Sequence, residues 1–199
     1  MRIDTTGKTY QGVSTFLSFI ALNLLYLLTC IPIVTIGMAT SALFEVTLRY
    51  SDDDGRSLIA DYFRAFKTNA WRATAVYACL VIPMFALAFS GFFWMFQGGS
   101  VSLIATIIAF LGTLYLFAAF LYGMALVARY RNSFLQTMKN ALLFPAAEPW
   151  RTFVLVIIPA TVVSITAIFP VFMVILLTVG FSVGVYASGF LLRNVFARH

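Results

Sequence analysis

Three long runs of this chain carry no charged residue, and this feature limits the possible fold more than any other. The runs cover residues 13–44, 73–128 and 152–192. A helix crosses ~30 Å of hydrocarbon at ~1.5 Å per residue, which takes about 20 residues. The first run is therefore long enough for one span, and each of the others is long enough for two. Since only lipid suits such runs, we predict an all-α polytopic membrane protein, a helical bundle of about five spans.

Turn signals divide the two longer runs. The glycine-rich stretch Gln97-Gly98-Gly99-Ser100 interrupts the second run. Pro170 is the best break in the third run, because a break at Gly180 would leave the last piece too short. We predict a single membrane domain over residues 1–199, with spans near 16–37, 74–96, 101–128, 152–169 and 171–192.

Three amphipathic segments are predicted to lie on the cytoplasmic membrane surface, near residues 39–50, 57–69 and 133–144. Each has apolar residues at helical spacing on one face and polar residues on the other. The second and third segments are each followed by a Trp-Arg pair and a span. The predicted interfacial anchors are Trp71, Arg72, Trp150 and Arg151, together with Lys67 and Lys139.

These two Trp-Arg junctions suggest an internal duplication, in which an interfacial helix and a two-span hairpin occur twice. Parallel repeats of this kind occur in transporters. The alternative is that any basic cytoplasmic loop entering a span has this pattern. The distances from Lys67 to Trp71 and from Lys139 to Trp150 differ by seven residues, so both interpretations stay open.

Basic residues indicate the side of each loop, because cytoplasmic loops carry an excess of lysine and arginine. Eleven of the thirteen basic residues lie within 49–72, 129–151 and 193–198. We predict that these segments, and with them the C-terminus, are cytoplasmic, whereas the N-terminus with Arg2 and Lys8 lies outside. In the alternative topology the first run is re-entrant, which places the N-terminus inside. A cleavable signal peptide is disfavoured, because cleavage would put the following basic loop outside.

The formal net charge of +6 follows from these cytoplasmic loops, which anionic lipid headgroups also attract. The lipid bilayer is therefore the predicted partner, and nothing in the sequence indicates nucleic acid.

A break in the first run, between Pro32 and Gly37, is the most informative local feature. Pro32 removes a backbone donor, the β-branched residues after it resist helix, and Gly37 permits an unusual backbone angle. The helix should restart near Ala39, with Thr40 or Ser41 as its cap. Broken helices at membrane depth can bind ligands, so the candidate ligand or hinge residues are Asn23, Pro32, Thr35, Gly37 and Thr40. We favour the simpler interpretation, a membrane-exit turn.

Small residues at four-residue spacing indicate where helices approach one another closely. The predicted packing residues are Gly180, Gly184 and Ser188 in the last span and Ala119 with Gly123 in the third.

Catalysis and metal or cofactor binding are disfavoured by the residue inventory. The single histidine, His199, is terminal, and no acidic residue lies well within a predicted span. Consecutive acids at Asp52, Asp53 and Asp54 differ from the alternating ligands of a calcium loop. Cys30 and Cys79 lie in apolar helix patterns and are interpreted as packing residues. We predict neither an enzyme nor a cofactor.

Several stretches resemble the YesL-like family of bacterial membrane proteins, also described as domain of unknown function 624. They are Leu22 to Leu28, Ile31 to Gly37, Ala42-Leu43, Val46 to Leu48 and Asp61 to Asn69, with looser agreement at Asn132-Ser133, Lys139 to Leu142 and Arg151-Thr152. The resemblance implies a bacterial cytoplasmic membrane protein, often encoded beside sugar-uptake ABC transporters and glycoside-processing enzymes. It supplies no catalytic or binding residue.

From this resemblance we expect an accessory or assembly subunit of a carbohydrate-uptake system, which contacts an ABC-type sugar permease. The rival hypothesis is a small transporter or channel. With only five spans, a carrier would need self-association to form a pathway.

Overall fold

A computed structural model describes residues 8–51 and 57–196. Residues in this part are helical or in short connections, with no strand. The helices are α1 (Lys8–Cys30), α2 (Ile36–Ser51), α3 (Leu58–Thr68), α4 (Ala70–Met95), α5 (Ser100–Arg129), α6 (Phe134–Ala147), α7 (Pro149–Ile168), α8 (Phe172–Ile175) and α9 (Phe181–Phe196). The acidic residues 52–54, Arg2 and His199 lie outside the described residues.

Four described helices are long and apolar enough to cross a membrane: Ala70–Met95, Ser100–Arg129, Pro149–Ile168 and Phe172–Arg193. The shorter apolar stretch Ser14–Cys30 belongs to α1. The prediction of an all-α membrane bundle is confirmed. The turn between α4 and α5 falls at the predicted glycines, with φ of 70° at Gly98 and 90° at Gly99, angles that glycine adopts without strain.

The first charge-free run forms an antiparallel pair of helices, α1 and α2, instead of one span that ends near residue 37. Near the start of α1, Thr15 accepts a hydrogen bond from the Tyr50 hydroxyl at the end of α2, at 3.2 Å. At the opposite end of the pair, Tyr26 and Thr40 are hydrogen-bonded at 3.3 Å. The chain therefore returns along α2 to the end at which α1 begins, so residues 31–35 join the two arms of a helical hairpin. Two such arms are what the re-entrant alternative predicts, whereas the depth of the turn in a membrane stays a prediction.

Helix α2 is packed among other helices on several sides, so the prediction of an interfacial helix near 39–50 needs correction. Phe44 and Leu48 belong to the larger apolar core with α4, α5 and α9. Leu43 and Val46 belong to a second core with α1 and α3. Its polar residues suggested a wet face, but Thr47 is buried and donates its hydroxyl to the Leu43 carbonyl at 2.8 Å. Hydroxyls satisfied in this way cost little to bury.

Each amphipathic helix packs against the hairpin that precedes it in the chain. Helix α3 lies mainly on α2, with further contacts to α1, and helix α6 lies mainly on α5. The chain is therefore organised as three hairpins, α1 with α2, α4 with α5, and α7 with α8 and α9. The predicted amphipathic segments near 57–69 and 133–144 correspond to α3 and α6, which separate the hairpins.

The last apolar stretch is not a regular α-helix throughout. A π-helical segment, Leu176–Gly180, joins α8 to α9. A π-helical turn shifts the helical register, and the side chain of Asn23 in α1 bonds to the Leu176 and Leu177 carbonyls of this segment.

Candidate functional site

The predicted break lies at the turn between α1 and α2, where the backbone satisfies itself. Helix α1 ends at Cys30, and a short 3₁₀ turn, Ile33–Thr35, leads directly into α2. The Thr35 hydroxyl donates to the carbonyls of Thr29 at 2.5 Å and Pro32 at 2.6 Å. The Leu28 carbonyl accepts from the Ile31 amide at 3.4 Å. The Leu28 carbonyl, whose usual amide partner is missing at Pro32, and the Thr29 and Pro32 carbonyls are therefore occupied within the turn.

Gly37 and Thr40 lie inside α2, so Gly37 does not adopt the unusual backbone angle that was predicted and neither Thr40 nor Ser41 caps the helix. Helix α2 begins at Ile36, before the predicted restart near Ala39. Gly37 has no positive φ, and the reason for a glycine is space: a Cβ there would lie 2.5 Å from the Cβ of Tyr77 and 2.9 Å from the Ala73 carbonyl. Glycine at this position lets α2 and α4 approach closely.

A line of hydroxyl groups connects this turn to α3. Thr29 and Tyr62 are hydrogen-bonded at 2.6 Å, and the Thr29 hydroxyl also donates to the Leu25 carbonyl at 2.9 Å. Tyr62 is buried among residues of α1 and α2. Burial raises the pKa of the Tyr62 phenol above its ordinary value, so the hydroxyl stays protonated and bonded at neutral pH. These contacts hold α3 against the first hairpin.

Asn23 is the most completely engaged of the predicted ligand residues, and its partners are backbone groups. It is fully buried. Its side-chain amide donates to the carbonyls of Leu176 at 3.2 Å and Leu177 at 2.7 Å, and its oxygen accepts from the Ser182 amide at 3.0 Å. Ser182 in turn donates its hydroxyl to the Phe19 carbonyl at 3.0 Å. Asn23 therefore supplies the partners that the π-helical segment lacks.

One carboxylate holds the junction between α3 and α4. Glu45 of α2 pairs with Arg49 at 2.6 Å and accepts a hydrogen bond from the Asn69 amide at 2.6 Å. Its side chain is 14% exposed. Near this junction, Arg72 donates to the Tyr130 carbonyl at 3.0 Å, which ties the start of α4 to the end of α5.

The two Trp-Arg junctions have the same local construction, and the duplication stays a prediction. A single residue, Asn69 in one and Glu148 in the other, separates the amphipathic helix from the span that follows. At each junction the backbone amide of that residue donates to a carbonyl of the preceding helix, and its backbone carbonyl accepts from an amide of the following helix. The seven-residue difference in spacing reflects only the greater length of α6 beyond Lys139.

The predicted anchors Trp71, Arg72, Trp150 and Arg151 lie at these junctions, whereas Lys139 lies in the middle of α6. Trp71 is 83% exposed and Trp150 is 75% exposed, and Lys67 and Lys139 are exposed on α3 and α6. Arg151 lies 3.8 Å from Glu148. Exposed tryptophans beside basic residues are typical of the membrane–water interface.

The predicted packing residues fall into two groups. A Cβ at Gly123 would lie 3.1 Å from Val76 of α4 and 3.5 Å from Ala141 of α6, and the neighbouring Ala119 is buried, so α5 is closely approached there. At Gly184, a Cβ would meet no described atom within 4 Å, and at Gly180 its nearest contact is Leu176 of the same segment. Ser188 is buried and bonds back to the Gly184 carbonyl at 2.9 Å.

Two clefts lie at the surface of the described part. One, of about 400 Å³, lies between α5 and α7 and is lined almost wholly by apolar side chains. The other, of about 310 Å³, lies at the start of α1 and α3 and is lined largely by hydroxyl residues, among them Ser14, Ser18 and Ser57. Neither is lined by residues 31–37. Within the described residues no group of three or more histidine, cysteine or acidic side chains is placed to hold a metal ion.

Sequence patterns gave no sign of the apolar cleft, because its walls come from α5, α6 and α7, whose side chains are ordinary for a membrane span. The partners of Asn23 were equally hidden, since they are main-chain groups more than 150 residues away.

Residues 19–91 match the family described as "Protein of unknown function, DUF624". This part of the chain, which runs from α1 into α4, is therefore similar to that family. Comparison with curated proteins and with solved structures finds no match.

Proposed function

We propose that the chain is a YesL-like member of the DUF624 family in the cytoplasmic membrane of a bacterium. The end of the bundle that carries its basic segments, called the basic end below, and the C-terminus lie in the cytoplasm in this proposal. The match over residues 19–91 and the looser agreement in the second half support the family. The basic end supports the orientation, because cytoplasmic segments are rich in lysine and arginine. Since α1 and α2 return to one end, the start of α1 is cytoplasmic in this proposal.

The function that the structure supports best is an accessory or assembly subunit that binds another membrane protein. The observation that carries it is the sparse packing of α7. Only Leu155 of this helix is buried, whereas five residues of α4 and eleven of α5 are buried. Helices associate in lipid through close packing, and a partner helix would provide the packing that the chain does not.

The link to carbohydrate uptake rests on the family resemblance. A sugar permease of the ABC type, with many spans of its own, is the partner that this resemblance implies. The half of α7 beyond Pro159, together with α8, offers exposed aliphatic and aromatic side chains for such a contact, including Val163, Ile168 and Phe172.

Affinity purification of the full chain tests this function. The tagged protein is expressed from its own locus, solubilised in mild detergent, and probed by quantitative mass spectrometry for permease subunits encoded nearby. We expect a permease to co-purify and its membrane level to fall when the chain is deleted. If neither co-purification nor a change in permease level is found, the accessory role is wrong.

Matched variants locate the contact. Val163→Trp and Ile168→Trp enlarge the exposed face of α7, and both should reduce permease recovery. Leu103→Trp and Ile108→Trp alter equally exposed positions on α5 and should leave it unchanged. A partner that is lost equally in all four variants would contradict a contact through α7.

A transporter or channel is the second candidate, favoured by the repeated construction of the two junctions. The occupied carbonyls of the α1–α2 turn count against it, because they leave no backbone ligands for a solute there. Purified protein in liposomes that accumulates a sugar or conducts an ion would establish this alternative.

A further inference from the structure

The apolar cleft between α5 and α7 is open at the side of the bundle. Leu111 and Leu114 of α5 form one wall, and Phe153, Val156 and Ile157 of α7 form the other. Its volume of about 400 Å³ lies within the ~300–1,000 Å³ that small-molecule sites usually occupy. Both walls belong to helices that are long and apolar enough to span a membrane, so in a bilayer hydrocarbon would lie at the opening.

The polar groups that border this groove bind one another. The Tyr115 hydroxyl donates to the Leu142 carbonyl. Thr152 and the Tyr122 hydroxyl are hydrogen-bonded at 3.2 Å, and Thr152 also donates to the Glu148 carbonyl at 2.9 Å. A polar solute would find few free hydrogen-bond donors or acceptors here, so burying it would cost free energy. A hydrocarbon chain has no hydrogen bonds to lose.

One end of the groove has the features of a membrane–water interface. Pro145 and Pro149 close it where α6 meets α7. Trp150 is exposed and stacks on the groove residue Phe153, with ring centroids 5.9 Å apart. The exposed Lys139 lies one turn before Leu142 on α6. Trp150 at the end of an apolar groove, with the exposed Lys139 one turn from Leu142 on the adjoining helix, suits a molecule with an anionic head and a hydrocarbon tail.

We propose that this groove is a binding site for a glycerophospholipid of the basic-side leaflet, with one acyl chain between α5 and α7 and the phosphate beside Lys139. The acyl chain would fill the space between α5 and α7, which otherwise make few contacts with each other. Packing of this kind stabilises a bundle in the same way as any ligand that binds only the folded state. The site is independent of a permease partner, whose proposed contact lies in the other half of α7.

Photolabelling tests the site on the full chain in nanodiscs. The probe is phosphatidylglycerol with a diazirine on one acyl chain, used as a minor component and mapped by peptide mass spectrometry. Labelling should concentrate on residues 111–118 and 152–157, and an excess of unlabelled phosphatidylglycerol should suppress it. Labelling spread over the exposed faces of α4, α5 and α7, without suppression by unlabelled lipid, would show ordinary bilayer contact and overturn the proposal.

Two groove-filling variants and two controls sharpen the result. Leu114→Trp and Val156→Trp place an indole where the acyl chain would lie, and each should lower labelling of the groove peptides about tenfold, a change of ~1.4 kcal/mol in binding. Leu103→Trp and Val163→Trp lie outside the groove on the same helices and should lower it little. Because Leu114 is half exposed, its variant should fold even if the other does not. Unchanged labelling in the folded Leu114→Trp protein would also exclude the site.

Lys139→Gln should weaken the suppression of labelling by unlabelled phosphatidylglycerol. Suppression equal to that of the wild type would show that the phosphate does not lie beside Lys139.

Discussion

Single polar residues in this bundle complete backbone hydrogen bonding where the helices are irregular. Thr35 occupies two carbonyls at the α1–α2 turn, and Asn23 occupies two carbonyls and an amide at the π-helical segment. Lipid offers no replacement partner, and an unsatisfied group there costs several kcal/mol. Both residues therefore have a structural explanation, although a polar residue in an apolar span first suggests a ligand.

Replacing Asn23 with leucine should destabilise the protein. The change keeps a similar size but leaves two carbonyls and the Ser182 amide without partners, so we expect a loss of about 1–3 kcal/mol. Reversible unfolding in mixed detergent micelles measures it. Asn140→Leu on α6 is the control. Within the described residues Asn140 accepts one hydrogen bond, from Gln136 near the surface, and its replacement should change stability by less than ~0.5 kcal/mol. Equal stability of the two variants would contradict the structural role of Asn23.

Two glycine substitutions should have opposite signs. In Gly37→Ala the new methyl group overlaps Tyr77 and the Ala73 carbonyl, and overpacking of this kind costs about 1–3 kcal/mol. In Gly184→Ala the methyl group enters open space and improves helix propensity, so stability should rise by up to ~1 kcal/mol. Thermal unfolding in the same detergent compares both with the wild type. Stabilisation by Gly37→Ala would mean that α2 and α4 lie further apart than described.

At the scale of elements, hydropathy was sufficient for the long helices but not for α2. Spans are predictable because charge-free runs and glycine turns are local features. Helix α2 carries Glu45, Arg49 and several hydroxyl residues, a pattern that suggests a surface helix. Thr47 bonds within its own helix, whereas Thr40 and Tyr50 find partners on α1. Glu45 pairs with Arg49 and Asn69, so tertiary packing overrides the pattern. The π-helical segment was hidden for a similar reason, because its partners lie on α1.

Replacing Thr35 with valine should lower the protection of the α1–α2 turn against hydrogen exchange. Valine has the shape of threonine but cannot donate to the Thr29 and Pro32 carbonyls, so the turn should open more often. Hydrogen exchange of peptides covering residues 26–40 should become faster, while peptides of α5 should be unaffected. Thr166→Val provides the control, since Thr166 donates only to Val162 within a continuous helix. Slow exchange of the turn in Thr35→Val would show that the other contacts hold it.

For the whole molecule, the arrangement of the hairpins determines which helix ends lie on the same side of the bundle. Three hairpins are separated by α3 and α6, and the first of them brings the end of α2 back to the start of α1. Charge counting placed the N-terminus outside because it treated the first run as one span. The count itself allowed either topology, since a hairpin in the first run puts all thirteen basic residues on one side.

Cysteine labelling in spheroplasts distinguishes the two topologies. In a Cys30→Ala, Cys79→Ala background, a membrane-impermeant maleimide should react with the Gln97→Cys variant, whose site lies in the basic-poor turn between α4 and α5. The Lys139→Cys variant should react only after permeabilisation, because it lies at the basic end. Lys8→Cys, at the start of α1, should behave like Lys139→Cys, since α2 returns the chain to that end. If Lys8→Cys reacts in intact spheroplasts as Gln97→Cys does, then α1 crosses the membrane alone, and the antiparallel packing of α2 against it is wrong.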